Sequence, residues 1–183
     1  MVLGPNYVFL CVPRCASNSI RDWLVEHFDG VHMEPHHGTR IPAGHAGKRI
    51  VAVVRNPYDR MLSTWNHNRK HSPEKRWRSM NAAEFARNCG KLEFGMNQAE
   101  FLKPVWPVVV VRYETLFRKD GARLLAGALR LKESVGRLPE LPVRNAEPRN
   151  SYWRQDRNMT SEFINAVNEH SLTDFAMWGY EKL

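Results

Sequence analysis

Twice in this sequence an apolar strand runs through a phosphate-sized turn into a helix: Tyr7 to Phe28 (YVFLCVPRCASNSIRDWLVEHF) and Arg49 to Trp65 (RIVAVVRNPYDRMLSTW). In the second segment Ile50 to Val54 is a β-branched run of buried-strand length, and Asn56-Pro57-Tyr58-Asp59 reads as a helix start. Asn56 is the expected N-cap, Pro57 the first helical residue and Asp59 the third. Tyr58, Met61, Leu62 and Trp65 then form an apolar stripe, which turns Arg60, Ser63 and His67 towards another face. Arg55, at the strand's carboxyl end, is expected to share a ligand with Ser63.

The first segment follows the same pattern with a different turn. Val8 to Val12 is a strand, Ile20, Trp23, Leu24, His27 and Phe28 lie at helical spacing, and Pro13 to Asn18 connect them. A turn of small residues entering a helix aims unpaired N–H groups at one point, where an anion gains about 0.3–1 kcal/mol before any side chain contributes. Arg14 adds a planar charged fork; Ser17, Asn18 and Ser19 add side-chain donors. Together the two segments suggest one protein holding two phosphate groups.

These residues resemble the sulfotransferases that use 3′-phosphoadenosine-5′-phosphosulfate (PAPS). That family's first motif runs Pro-Lys-Thr-(Gly/Ala)-Ser/Thr-Thr-Ser/Thr and its second Arg-Asn-Pro-x-Asp-x-x-x-Ser. Arg55-Asn56-Pro57-Tyr58-Asp59 through Ser63 matches the second without a gap, which implies Arg55 and Ser63 as contacts of the 3′-phosphate. Pro13-Arg14-Cys15-Ala16-Ser17-Asn18-Ser19 is similar to the 5′-phosphosulfate loop, with Arg14 where Lys is usual and Asn18 where Thr is usual. Arg112-Tyr113-Glu114-Thr115-Leu116, closing a run of four valines, resembles the Tyr-Glu-Asp-Leu segment and implies Tyr113 beside the adenine, where an aromatic face offers stacking. Asp174-Phe175-Ala176-Met177-Trp178-Gly179-Tyr180 is similar to the ending of the carbohydrate-type branch. The resemblance runs from about Tyr7 to the carboxyl end. It implies an α/β fold, a three-layer sandwich with a central parallel sheet and a P-loop-like strand-loop-helix, as one domain over residues 1–183.

The activity so implied is transfer of a sulfuryl group from PAPS, leaving 3′-phosphoadenosine 5′-phosphate (PAP), to a hydroxyl or amine of a carbohydrate, including an acidic one. An attacking hydroxyl needs a base, worth about 10²–10⁴ in rate when well placed. Four of the eight histidines lie in the Asp29–Lys48 loop. His37 is the preferred base, with Glu34, His36 and His45 as alternatives. His32, Glu34 and His36 also share one face of an extended segment, a pattern zinc or iron can use; Pro35 and the lack of a strong strand pattern argue against it, and a bridging metal is less needed because a sulfuryl group carries less charge than a phosphoryl group, so no metal is expected. Arg14 and the loop N–H groups are expected to stabilise charge on the departing phosphate.

Two other classes fit parts of the chain. Cys15 to Arg21 has the Cys-x5-Arg spacing of cysteine-dependent phosphatases, without a glycine for an oxyanion-wrapping backbone and leaving Arg55 to Ser63 unexplained. Arg69-Lys70-His71 and Lys75-Arg76-Trp77-Arg78 form a basic run suited to a nucleic-acid or nucleotide module. Lys and Arg total 27 against 19 Asp and Glu, so the net charge of +8 favours an anionic ligand without choosing among classes. No Gly-x-x-x-x-Gly-Lys-Ser/Thr loop supports an ATP- or GTP-hydrolysing enzyme. Neither signal peptide nor spanning apolar run is read, and Cys11, Cys15 and Cys89 lack disulfide or zinc spacing. The expected setting is therefore cytoplasmic, without a membrane span and without nucleic acid as partner. The remaining stretches read as loops are Arg69 to Met80 and Leu138 to Tyr152; Asn81, Asp120 and Thr160 are expected to begin further helices.

Overall fold

The consecutive apolar runs become strands with no polar face. Residues 7–10 and 51–54 are buried without alternation, as a strand covered on both sides must be. The structure, a computed structural model, describes residues 1–92, 95–131, 138–143 and 158–183. In chain order its strands are β1 (Val2–Leu3), β2 (Tyr7–Leu10), β3 (Val31–His32), β4 (Arg49–Val54) and β5 (Val109–Arg112). The helices are α1 (Ser17–His27), α2 (Pro57–His71), α3 (Lys75–Ser79), α4 (Ala82–Asn88), α5 (Gln98–Leu102), α6 (Tyr113–Leu116), α7 (Gly121–Leu129), α8 (Ser161–His170) and α9 (Leu172–Trp178), with 3₁₀ turns at Ala43–His45, Cys89–Lys91 and Lys103–Val105. Among these residues no helix is long and apolar enough to cross a membrane.

The fold is α/β, and its sheet is mixed. The strand order is β3-β1-β2-β4-β5; β2, β4 and β5 run parallel, while β1 pairs antiparallel with both β2 and β3. The wholly parallel sheet read from sequence is thus corrected at one edge. Gly4 makes the β1–β2 reversal possible: a Cβ there would stand 2.1 Å from the Tyr7 ring. Register pairs Leu10 with Ala52 and Val54 with Arg112, so the segments following β2, β4 and β5 all leave from one end of the sheet, the end where open α/β sheets bind ligands.

The chain divides into two compact units, Met1–Arg55 with Phe101–Asn145, and Asn56–Glu100 with Ala146–Leu183. The first holds the sheet. The second is helical, built on a core of Tyr58, Met61, Leu62, Trp65, Trp77, Phe85, Phe163, Val167 and Phe175. Its helix starts follow the local signals. Asn56 accepts from the Tyr58 N–H with Pro57 next, Asn81 and Glu84 form a reciprocal capping box, and the Thr160 hydroxyl accepts from the Phe163 N–H at 3.2 Å. α7 follows Asp120 without a side-chain cap.

Three readings need correction. The Arg69–Met80 stretch is not loop, because α2 continues to His71 and α3 occupies Lys75–Ser79, drawn into structure by the burial of Trp77. The Asp29–Lys48 stretch contains β3 and a 3₁₀ turn. α2 is buried on more than its apolar stripe: Arg60 and Ser63 are buried as well, and Arg60 reaches the Met96 carbonyl (2.9 Å). Most of the Leu138–Tyr152 reading lies outside the described residues.

The tail motif finds a structural use here. Asp174 is fully buried and its carboxylate accepts from the Gln98 N–H (3.0 Å), the Gln98 side-chain amide (3.1 Å) and the Ala99 N–H (2.7 Å). It satisfies the donors that open α5, which would otherwise be buried without partners. Asp174→Ala is expected to lower stability by about 3 kcal/mol and Asp174→Asn by clearly less, measured as urea midpoints; equal losses in the two variants would remove the capping account.

Candidate active site at the strand ends

β2 ends at Leu10, and the chain must turn within a few residues to start α1 on the sheet. The Cys15 N–H closes this turn on the Val12 carbonyl (3.3 Å). Two residues in the turn have left-handed backbone, Arg14 (φ 65°) and Ala16 (φ 61°). Such a conformation costs a non-glycine residue about 1–2 kcal/mol. Asp29 and Arg130, the other non-glycine cases among the described residues, stand just past the ends of α1 and α7, where left-handed residues are ordinary helix stops. Ala16 instead occupies the N-cap of α1, a place that normally takes extended backbone and a capping side chain; no side chain caps this helix. Alternating left-handed residues before a helix N-terminus turn successive N–H groups towards a common point, an anion-binding concavity.

Arg55 joins that loop to the rest of the sheet end. It is 4% exposed, its Nη1 donates to the Arg14 carbonyl (3.3 Å), and its guanidinium lies 4.4 Å from the centre of the Tyr113 ring. The end of β2, the end of β4 and the start of α6 after β5 therefore meet at one cation. Tyr113 packs edge-on against Phe117 as well, with ring centres 5.4 Å apart. Ser17 and Ser19 are buried at the start of α1, while Arg14 and Asn18 are half-buried. Ser63 belongs to α2 in the second unit, where it is buried.

The histidine loop reaches the same end of β2. The His37 Nδ1 lies 2.5 Å from the Cys11 carbonyl oxygen. A carbonyl only accepts, so Nδ1 carries a proton, and in the neutral ring Nε2 then has the lone pair that a general base needs. Its neighbours are committed to one another. The His36 Nδ1 pairs with the His32 Nε2 at 2.9 Å, the Glu34 carboxylate accepts from the His36 N–H at 2.7 Å, and its other oxygen is 3.7 Å from the His32 Nδ1. Burial first, and the adjacent His37 second, push the His36 imidazole down to about 3, and burial also lowers His32. His45 ends the 3₁₀ turn at Ala43–His45. Among the described residues no group of three or more His, Cys, Asp and Glu side chains is arranged to hold a metal ion.

The residues at both ends of the Cys-x5-Arg spacing are engaged within the chain. Cys15 is 1% exposed, with its Sγ directed to the Pro13 carbonyl (3.5 Å). Arg21 is held by Asp22, at 2.8 Å from Nε and 2.7 Å from Nη2, while its Nη1 donates to the Asn18 Oδ1 at 3.3 Å. The Arg14 and Ala16 backbone and the Cys11 contact are the features that sequence reasoning missed. Ala carries no signal for left-handed backbone, and a carbonyl partner has no sequence signature at all.

Ala16→Gly is expected to raise stability by about 1 kcal/mol, since glycine takes this backbone without strain and serves better as an N-cap than alanine; a destabilised variant in urea titration would contradict the strain. His36 sets a pH dependence. The unfolded chain protonates it near 6.5 and the folded chain not until about 3, so the stability from its neutral burial is present above pH 6.5 and is lost as pH falls towards 3. The urea midpoint is expected to fall on acidification through that range, and to fall less in His36→Gln; parallel declines would assign the effect to other groups. Comparisons of this chain with protein-family models, with curated proteins and with solved structures each give no match.

Proposed function

We propose that the chain is a PAPS-dependent sulfotransferase with a three-layer, P-loop-like core. The observation that supports this reading best is the contact of Arg55 with the Arg14 carbonyl and the Tyr113 ring, which brings three separate motifs to one strand end. The residues there fit a bisphosphorylated adenosine. In this reading the loop of Arg14, Cys15, Ala16, Ser17, Asn18 and Ser19 holds the 5′-phosphosulfate by backbone N–H groups and side-chain donors, Cys15 closing the turn with its own N–H on the Val12 carbonyl. Arg55 faces the 3′-phosphate with its guanidinium, a planar fork suited to such a group. Tyr113 would lie beside the adenine, its aromatic face offering stacking.

PAPS supplies an activated sulfuryl group and leaves as PAP. The chain's own contribution is positional and electrostatic. Arg14 and the loop N–H groups face negative charge as it develops on the departing phosphate. His37, its tautomer set by the Cys11 carbonyl, takes the acceptor's proton at Nε2. Glu34 and His36 serve less well as the base: the first is engaged with the His36 N–H, and the second is made a weak base by burial and has its Nδ1 paired with His32. The acceptor is a hydroxyl or amine, with carbohydrate favoured by the tail resemblance.

The melting temperature is expected to rise with PAP, and to rise less with 5′-AMP or ATP. Arg55→Ala is expected to abolish the preference. His37→Asn is expected to keep the PAP shift and lose about 10²–10⁴ in turnover. No preference for the bisphosphate would remove the sulfotransferase reading and return attention to phosphatase and nucleic-acid assays.

A further inference from the structure

Residues 69–78, at the end of α2 and through α3, carry Arg69, Lys70, Lys75, Arg76 and Arg78 against a single acid, Glu74. Lys70, Lys75, Arg76 and Arg78 are exposed and Arg69 is half-buried. Arg69, Lys75, Arg76 and Arg78 form no ion pair with a described residue. Exposed cations of this kind are commonly a solvated face, and those at a helix C-terminus also suit the dipole. Two of them are held in a way that solvation does not require.

Arg69 lies 4.9 Å above the Trp65 ring and its Nη2 donates to the Asn66 Oδ1 (3.3 Å). Arg76 lies 4.9 Å above the Trp77 ring and its Nη2 donates to the Asn88 Oδ1 (3.5 Å). Both indoles belong to the hydrophobic core of this unit. Each guanidinium is thus held over a fixed aromatic surface and steadied at one corner, with its remaining N–H groups left for an anion. Holding the plane in advance reduces the entropy lost when a ligand binds. Arg87, on α4, is exposed as well.

We propose that this surface binds an anionic polysaccharide, seating sulfate or carboxylate groups in the Arg69 and Arg76 forks. Bidentate pairing suits those groups, and the flanking lysines and arginines add charge along the chain of sugars. The same details disfavour nucleic acid. Single strands are held by bases stacked on open aromatic faces, whereas Trp65 and Trp77 are 5% and 4% exposed beneath their arginines. A duplex is read by an element inserted in a groove, and α3 has only five residues. The surface lies wholly within the second unit.

The test is fluorescence anisotropy of the full chain with heparin as the sulfated probe, duplex DNA as a second polyanion and dextran as a neutral chain, at low and high salt. Heparin is expected to bind more tightly than DNA, with salt sensitivity, and dextran not to bind. R69Q/R76Q is expected to weaken heparin about tenfold or more. K75Q/R78Q, which touches only exposed side chains, is expected to weaken it by less, and covers the case in which the first variant fails to fold. R118Q/K119Q, an exposed pair in the first unit, is expected to leave binding unchanged. DNA bound as tightly as heparin would overturn the partner class. Heparin binding unaffected by K75Q/R78Q, or reduced equally by R118Q/K119Q, would overturn the surface.

Discussion

A guanidinium buried at the end of a strand needs partners where it stands, and Arg55 meets groups from both neighbouring strands' ends, the Arg14 carbonyl and the Tyr113 ring. The parallel register of β2, β4 and β5 makes this possible, because it brings three chain exits to the same level. The Arg14 carbonyl is available to Arg55 only because the loop bends back in left-handed backbone after β2. Truncating Arg55 therefore removes a charge and a loop anchor together.

The loop shows how strain and function coincide in the proposed reading. Arg14 and Ala16 accept an unfavourable backbone, and the surrounding sheet and helix hold them there. What the strain provides is N–H groups of α1 uncovered by any cap, at the positive end of a helix dipole. Cys15 is buried beneath the same turn with its thiol on the Pro13 carbonyl, so it packs the loop instead of presenting a nucleophile. Beside it, His37 is tied to the first residue beyond β2 while His32, Glu34 and His36 bond among themselves. One histidine of the loop is thereby set apart from its neighbours by hydrogen bonding.

Much of this was legible in the residues. Asn56-Pro57, Asn81 with Glu84 and Thr160 begin helices because a cap is a contact within four residues, and such contacts are written in local sequence. The valine run and Ile50–Val54 became strands for the same local reason. Illegible features share a long-range cause. α3 forms around Trp77, whose burial is supplied by Phe85 and the rest of the helical core. The antiparallel β1 edge depends on Gly4 fitting against the Tyr7 ring. Asp174 meets Gln98 and Ala99 across 75 or more residues of chain.

By itself the sequence determined the alternation of strand and helix, the helix starts, and which residue types could meet an anion. Those follow from periodicity and capping, interactions that a short segment makes with itself. Tertiary structure alone decided that Arg14 and Ala16 turn left-handed, that Arg55 lies on Tyr113, and that His37 is the histidine bonded to the end of β2. The isolated segment specifies none of these, and it disfavours the left-handed pair; packing between distant parts of the chain imposes them.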